Sequence, residues 1–254
     1  MASGRLSGKV AFVTGAARGQ GEGVARAFAA EGARVALADV LDEAGERVAR
    51  EIAQSGGAAR FFHCDVSREA DVSAAIDGAA AHFGGLDVLY NNAAIIAYGR
   101  KIADLKAEDW DRTIAINLRG PFLCAKYALP HLVRRGGGAI INISSHGAFQ
   151  ASPTGIADYG TAKGGLVTLT YYLASEYGPD HVRANCIAPG PVPTELNAPF
   201  LGTAEGRAAT SAWIPLGTVG EVADIARAAV FLASDEAKWI TGAVLRVDGG
   251  IVVQ

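Results

Sequence analysis

Seven short apolar runs punctuate the chain, and longer stretches with apolar positions every three or four residues lie between them. The short runs are KVAFVT (9–14), RVALAD (34–39), ARFFHC (59–64), DVLYNN (87–92), GAIINIS (138–144), VRANCIA (182–188) and AVLRVD (243–248). Most are nearly continuous in hydrophobicity, the pattern of strands covered on both faces. The stretches at 22–32, 43–56, 68–84, 107–135, 157–178 and 221–234 have helical spacing. This alternation predicts an α/β fold, a Rossmann-type doubly wound sheet of about seven parallel strands, in a single domain over residues 1–254. Residues 189–220 break the pattern. They are rich in Pro, Gly and Thr and long for a connection in a compact domain, which predicts a substrate lid.

Composition narrows the class. Of 254 residues, 50% are hydrophobic and 19% charged, which fits a soluble globular chain and not a disordered one. The net charge is −3 and no Lys/Arg-rich arm is present, so no nucleic-acid partner is expected. The apolar runs are too short to span a membrane, and the first one is too short for a signal peptide. Cys64, Cys124 and Cys186 are odd in number and far apart. They indicate neither a zinc site nor a disulfide framework, and a cytoplasmic location is expected. No metal is expected.

Two stretches carry candidate chemistry. VTGAARGQGEG follows the first predicted strand and opens the first predicted helix. Gly15, Gly19 and Gly21 let the backbone turn tightly and approach a pyrophosphate at a helix N-terminus. Asp39 ends the second predicted strand, where an acid can bond ribose hydroxyls and repel a 2′-phosphate. That favours NAD(H) over NADP(H). Arg18 pulls the other way, since its guanidinium can meet that phosphate. Asp39 can alternatively cap the next helix. Asp65 is placed either to touch adenine or to serve as a helix N-terminal acid. The second stretch is YGTAK, Tyr159 to Lys163. Residues i and i+4 share a helix face, so the lysine can approach the phenol and lower its pKa, tuning it for acid/base work.

With NNAA (91–94), NISS (142–145) and this tyrosine–lysine pair, the chain resembles the short-chain dehydrogenase/reductase family from Gly8 to Gly250. The resemblance implies a seven-stranded Rossmann sheet with Tyr159 as catalytic acid/base. Lys163 lowers the pKa of Tyr159 and holds the nicotinamide ribose. Asn117 matches a fourth catalytic position, at a helix irregularity that holds a water leading from Lys163. Asn91 fits the cofactor-side asparagine. APGPVPT (188–194) resembles the segment that packs on nicotinamide, with Thr194 on the carboxamide. Gln20, Val66, Ala93, Pro189, Gly190 and Val192 complete the implied cofactor contacts. The family's serine often lies 13 residues before the tyrosine, where this chain has His146. The strand-end pattern favours Ser145 instead, with one extra loop residue, and gives His146 no catalytic role.

The expected reaction interconverts a secondary alcohol and a ketone. Ile95, Ile96, Phe149, Leu196, Phe200, Leu201 and Trp213 are candidate walls for a bulky, steroid- or terpenoid-like substrate. A 3-oxoacyl-[acyl-carrier-protein] reductase using NADPH is the alternative enzyme. A non-catalytic dinucleotide-binding sensor is the alternative of another class. Apolar positions such as Leu123, Ala125, Leu166, Val167 and Leu169, together with the apolar C-terminal tail, point to an interface. The resemblance implies a homotetramer.

Overall fold

Every residue of strand β1 (Val10–Thr14) is buried. Its alternation divides between two cores. Val10 and Phe12 join Ala36 and Ala38 on one face of the sheet, and Ala11 and Val13 join Val35 and Leu37 on the other. A strand can be apolar at successive positions only if both faces are covered. The computed structural model, which describes residues 4–253, supplies that cover with helices on both sides.

In chain order the elements are β1, α1 (Gly19–Ala30), β2 (Arg34–Asp39), α2 (Asp42–Gln54), β3 (Ala58–His63), α3 (Glu69–Phe83) and β4 (Val88–Asn91). There follow α4 (Ala107–Ile114), α5 (Gly120–Arg134), β5 (Gly138–Ile143), α6 (Ala157–Tyr177) and β6 (Val182–Pro189). Residues 189–220 hold α7 (Ala198–Leu201) and α8 (Ala204–Ser211), and α9 (Val222–Ala233) and β7 (Val244–Val247) close the fold. The strands form one sheet in the order β3-β2-β1-β4-β5-β6-β7. All six pairings are parallel. This is the expected α/β class. Strand order reverses between β1 and β4, and loops leaving the two strands diverge there to open a crevice at their carboxyl ends.

Not every run is covered on both faces: β3 is a sheet edge, with Ala58, Arg60 and His63 exposed. The helix irregularity expected at Asn117 is present in the 107–135 stretch. A π-helical turn, Ala115–Arg119, separates α4 from α5. Pro121 has no N–H to give the carbonyl of Asn117, four residues back, so the α-helical ladder cannot close there.

The apolar positions nominated for an interface divide as well. Leu123, Ala125 and Leu166 lie in the core. On the same two helices, Phe122, Tyr171 and Tyr172 are the aromatic side chains left exposed. No helix among the described residues is long and apolar enough to cross a membrane.

The phosphate-loop end of the fold depends on a close backbone approach. A Cβ on Gly21 would lie 1.9 Å from the carbonyl oxygen of Gly15, and backbone cannot yield as a side chain can. Gly21→Ala is expected to cost about 1–3 kcal/mol through overpacking. Gly78→Ala, in the middle of α3 with only a 3.4 Å contact to Phe62, is expected to gain about 0.5–1 kcal/mol. Urea unfolding of the two variants checks both signs. A neutral Gly21→Ala would show that loop and helix are not packed this closely.

Candidate active site

The crevice beside β1 and β4 is a continuous cleft. Its phosphate-loop end is built by Gly15, Arg18, Gly19 and Gln20, and its far end reaches Tyr159, Leu196 and Asn197. Gly15 and Gly19 both have left-handed φ, 64° and 58°. They turn the chain so that the first turn of α1 faces the cleft. Arg18 is the extended residue before that helix, and its side chain does not cap it. The first N–H groups of such a helix form a site for an anion.

Asn92 braces this loop. Its Nδ2 donates to the carbonyls of Thr14 and Gly15, both at 3.1 Å. Thr14 Oγ1 accepts from the backbone N–H of Asn92 and of Ala93. Asn91, expected on the cofactor side, is turned inward. It pairs in register with Asn142 of β5 and donates to its Oδ1 at 2.8 Å. Successive strand residues point to opposite faces, so only one of the asparagine doublet can face the cleft. The other asparagine, Asn92, lines it. The NNAA doublet contained that signal, but not which member faced out.

Asp39 lies on the cleft wall with both carboxylate oxygens engaged. Oδ2 accepts from Ala17 N–H at 3.0 Å, and Oδ1 accepts from Val40 and Leu41 N–H at 2.8 and 3.1 Å. It ties the glycine loop to the end of β2. Oδ2, with one such bond, keeps acceptor capacity. Asp65 Oδ1 accepts from Ser67 N–H and Oγ, an Asx-type turn, while Asp65 and Val66 line the cleft. Pro189, Gly190 and Thr194 are on the opposite wall. Val192 is not. Its side chain is in the core and its carbonyl accepts from Asn197. Gly21 lies behind the wall, where it packs on Gly15.

Tyr159 and Lys163 sit on the first two turns of α6, and both are buried on the cleft floor. Burial pushes the Tyr159 phenol up to about 12, against the neighbouring Ser145, which lowers it. Burial brings the Lys163 ammonium down to about 8. The expectation that Lys163 lowers the pKa of Tyr159 is not met in this geometry. Its Nζ lies 5.6 Å from the centre of the tyrosine ring and donates instead to the carbonyl of Ile143, at 2.6 Å. Desolvation therefore dominates both groups.

The two serines have separate employment. Ser144 Oγ donates to the carbonyl of Lys163 at 2.7 Å. Ser145 Oγ accepts from Gly147 N–H at 3.1 Å and lies near enough to Tyr159 to lower the pKa of its phenol. His146 contacts the carbonyl of Pro189 through Nδ1, and burial lowers its pKa. Asn117 is fully buried in the π-helical turn. Its Oδ1 accepts from Ile95 N–H at 2.9 Å and its Nδ2 donates to Ile95 C=O at 2.8 Å. Asn117 thus fixes the backbone beside the cleft and is not itself on the wall. Of the seven candidate walls, Ile95 and Leu196 line the cleft. Leu201 is in the core, and Trp213 is 71% exposed.

A family model described as Enoyl-(Acyl carrier protein) reductase matches residues 15–252. The chain is 35% identical to a short-chain type dehydrogenase/reductase from Mycobacterium marinum, covering 97% of this chain and 96% of that one with a TM-score of 0.92. The chain belongs to the short-chain dehydrogenase/reductase family. Within that family it is 42% identical to the 3beta-hydroxysteroid dehydrogenase 1 of Eggerthella lenta over 98% of this chain and 95% of the relative. It also superposes, with a TM-score of 0.93, 34% identity and full coverage of both chains (100% each), on a gluconate 5-dehydrogenase from Burkholderia cenocepacia in complex with NADP and tartrate. The family makes this chain an oxidoreductase that uses a nicotinamide dinucleotide. Three features fit such a group: the glycine turn that admits no Cβ at Gly15, the uncapped start of α1, and Asp39 at the adenosine end. Among the described residues, no cluster of His, Cys, Asp or Glu is placed to hold a metal ion.

The depressed Lys163 pKa has a stability consequence. Between about pH 8 and 10.5 the unfolded lysine holds a proton that the folded one has lost. Folding stability therefore rises with pH across this window and is flat below it. Lys163→Met abolishes this linkage. Urea unfolding is expected to show the wild type gaining up to about 3 kcal/mol on the variant between pH 8 and 10.5. No relative gain would mean that the ammonium is solvated in the fold.

Proposed function

We propose that the protein is an NAD(H)-dependent dehydrogenase/reductase interconverting a secondary alcohol and a ketone, with Tyr159 as the acid/base. The observation that carries this reading is Tyr159 with Lys163 one helical turn on, both on the floor of a cleft whose other end is an anion-binding glycine turn. The chain acts as one dinucleotide-binding catalytic domain, with residues 189–220 as the lid over the substrate.

A bound nicotinamide supplies or accepts the hydride. The protein's part is binding, orientation and proton movement. In reduction, Tyr159 Oη gives its proton to the oxygen that becomes the alcohol. In oxidation it takes that proton back. Ser145 Oγ orients and polarises the same oxygen. Lys163 sits one helical turn beyond Tyr159, with its ammonium 5.6 Å from the centre of the ring, and is the group for the nicotinamide ribose. Asn117 holds the Ile95 peptide and so keeps the cleft wall in place.

Asp39 selects NAD(H). Its Oδ2 would accept from the ribose hydroxyls of a bound dinucleotide, and its charge would oppose a 2′-phosphate. Arg18 on the same wall, the NADP-bound gluconate dehydrogenase relative and the acyl-carrier name of the family model favour a second reading, an NADPH-dependent reductase of acyl thioesters. Ile95 and Leu196 on the wall and the hydroxysteroid dehydrogenase relative support a bulky apolar substrate. Phe122, Tyr171 and Tyr172, exposed on α5 and α6, support a homotetramer, and the three buried thiols suit a cytoplasmic protein.

A panel of secondary alcohols and ketones, assayed with each nicotinamide cofactor, tests the reading. Tyr159→Phe is expected to lose about 10²–10⁴ in kcat. Ser145→Ala is expected to cost far more activity than Ser144→Ala. Near-normal turnover by Tyr159→Phe would move the proton transfer to another group. With one substrate, kcat/KM is expected to favour NAD(H) by at least about tenfold, the worth of one hydrogen bond to a charged acceptor. Asp39→Ala is expected to remove that preference. A wild-type preference for NADPH would overturn the assignment to Asp39 and raise the acyl reductase reading.

A further inference from the structure

The segment around Asn197, which lines the same cleft as Tyr159, is held by one residue from a different loop. Tyr98 follows β4, and its Oη donates to Asn197 Oδ1 at 3.0 Å. Asn197 lines the cleft next to Leu196, and its Nδ2 donates to the carbonyl of Val192 at 2.9 Å. The Tyr98 ring packs edge-on against Phe200, with centroids 4.6 Å apart. One side chain therefore grips the lid twice, by a polar tip and by an aromatic face. Edge-to-face pairs of this kind add attraction beyond the area they bury.

The base of Tyr98 is itself fixed. Gly99 N–H donates to the carbonyl of Thr154, and Arg100 N–H donates to that of Gly155. Arg100 also forms an isolated bridge with Ile156, the residue before α6, and an ion pair with Asp109 of α4. The loops after β4 and β5 are thus one platform, and Tyr98 projects from it to the loop after β6. The phenol is close enough to Tyr159 to add to the upward push on its pKa, and burial raises its own. It is a neutral hydroxyl donor at physiological pH.

Resting on the alcohol/ketone reading above, we propose that Tyr98 is a specificity-determining residue that clamps the lid segment 195–201 over Tyr159 and so limits the bulk of the substrate admitted. Phe200 and Asn197 are on the lid, Tyr98 is on the rigid side, and the substrate must fit under the span between them. Shortening Tyr98 opens that span, while removing its hydroxyl alone loosens the lid without enlarging the space.

Two measurements test this. Hydrogen–deuterium exchange over 195–201 is compared in the wild type and Tyr98→Phe, both with NADH bound. Loss of one neutral hydrogen bond is expected to speed exchange about 2- to 10-fold in that segment only. Exchange at the wild-type rate would overturn the clamp. The second measurement is the ratio of kcat/KM for a bulky cyclic ketone to that for a small acyclic one. Tyr98→Ala is expected to raise this ratio at least about tenfold, a change of the size produced by altering a few methylenes of pocket volume. Tyr98→Phe is expected to leave it near the wild-type value. An unchanged ratio in Tyr98→Ala would overturn the role in selectivity. NADH binding by fluorescence, expected unchanged in both variants, shows that they are folded at the cofactor end. If no ketone is reduced by the wild type, the substrate reading fails, the role in selectivity falls with it, and the exchange result alone decides the clamp.

Discussion

Helix α6 carries Tyr159, and three buried side-chain bonds seat it on the end of β5. Lys163 Nζ donates to Ile143 C=O, Ser144 Oγ donates to Lys163 C=O, and Asn142 Nδ2 donates to Thr170 Oγ1. Apolar packing alone leaves a helix some freedom to rotate or slide. Directional bonds between buried groups do not, because a broken one leaves a polar group without a partner at a cost of about 1–3 kcal/mol, more for a charge. The ammonium is the most demanding of the three. It tolerates burial only where a carbonyl meets it, and that requirement fixes the helix against the strand and the phenol over the cleft.

The same economy runs through the wall of the cleft. Asn117, Asn92 and Asp39 all spend their polar atoms on backbone. Asn117 holds Ile95, Asn92 holds the glycine turn, and Asp39 joins that turn to β2. Loops at the carboxyl edge of a parallel sheet have no ladder to support them, and these side chains supply the missing partners. Rigid positioning of the groups that act on a substrate depends on such support.

Residues 189–220 differ in kind. Few of them reach the core, and Leu201, Val192 and Ile214 are the main buried anchors. Other attachments are the contacts of Tyr98 with Asn197 and Phe200 and the backbone bonds of Leu216 N–H to Gly249 C=O and Gly190 N–H to Val247 C=O. A segment with few buried apolar contacts opens at lower free energy than the sheet. Such a segment can move without disturbing the sheet or α6.

The hydrophobic pattern by itself determined the class of fold, because a strand apolar at successive positions has to be buried on both faces and a helical period has to lie against it. The seven runs match the seven strands within a residue or two. The glycine turn and the tyrosine–lysine pair were legible for a similar reason, since each depends on residues near in sequence. Other features required contacts between distant residues. Whether Asn91 or Asn92 faced the cleft depended on the register with β5. The break at Asn117 came from Pro121 and from the Ile95 peptide. Ser144 and Ser145 parted roles only when α6 placed the Lys163 carbonyl beside one and the Tyr159 phenol beside the other. The balance between Tyr159 and Lys163 was decided by burial, which no spacing reveals: helical periodicity brings an ammonium and a phenol to one face, and only the packed structure determines how much water is left around them.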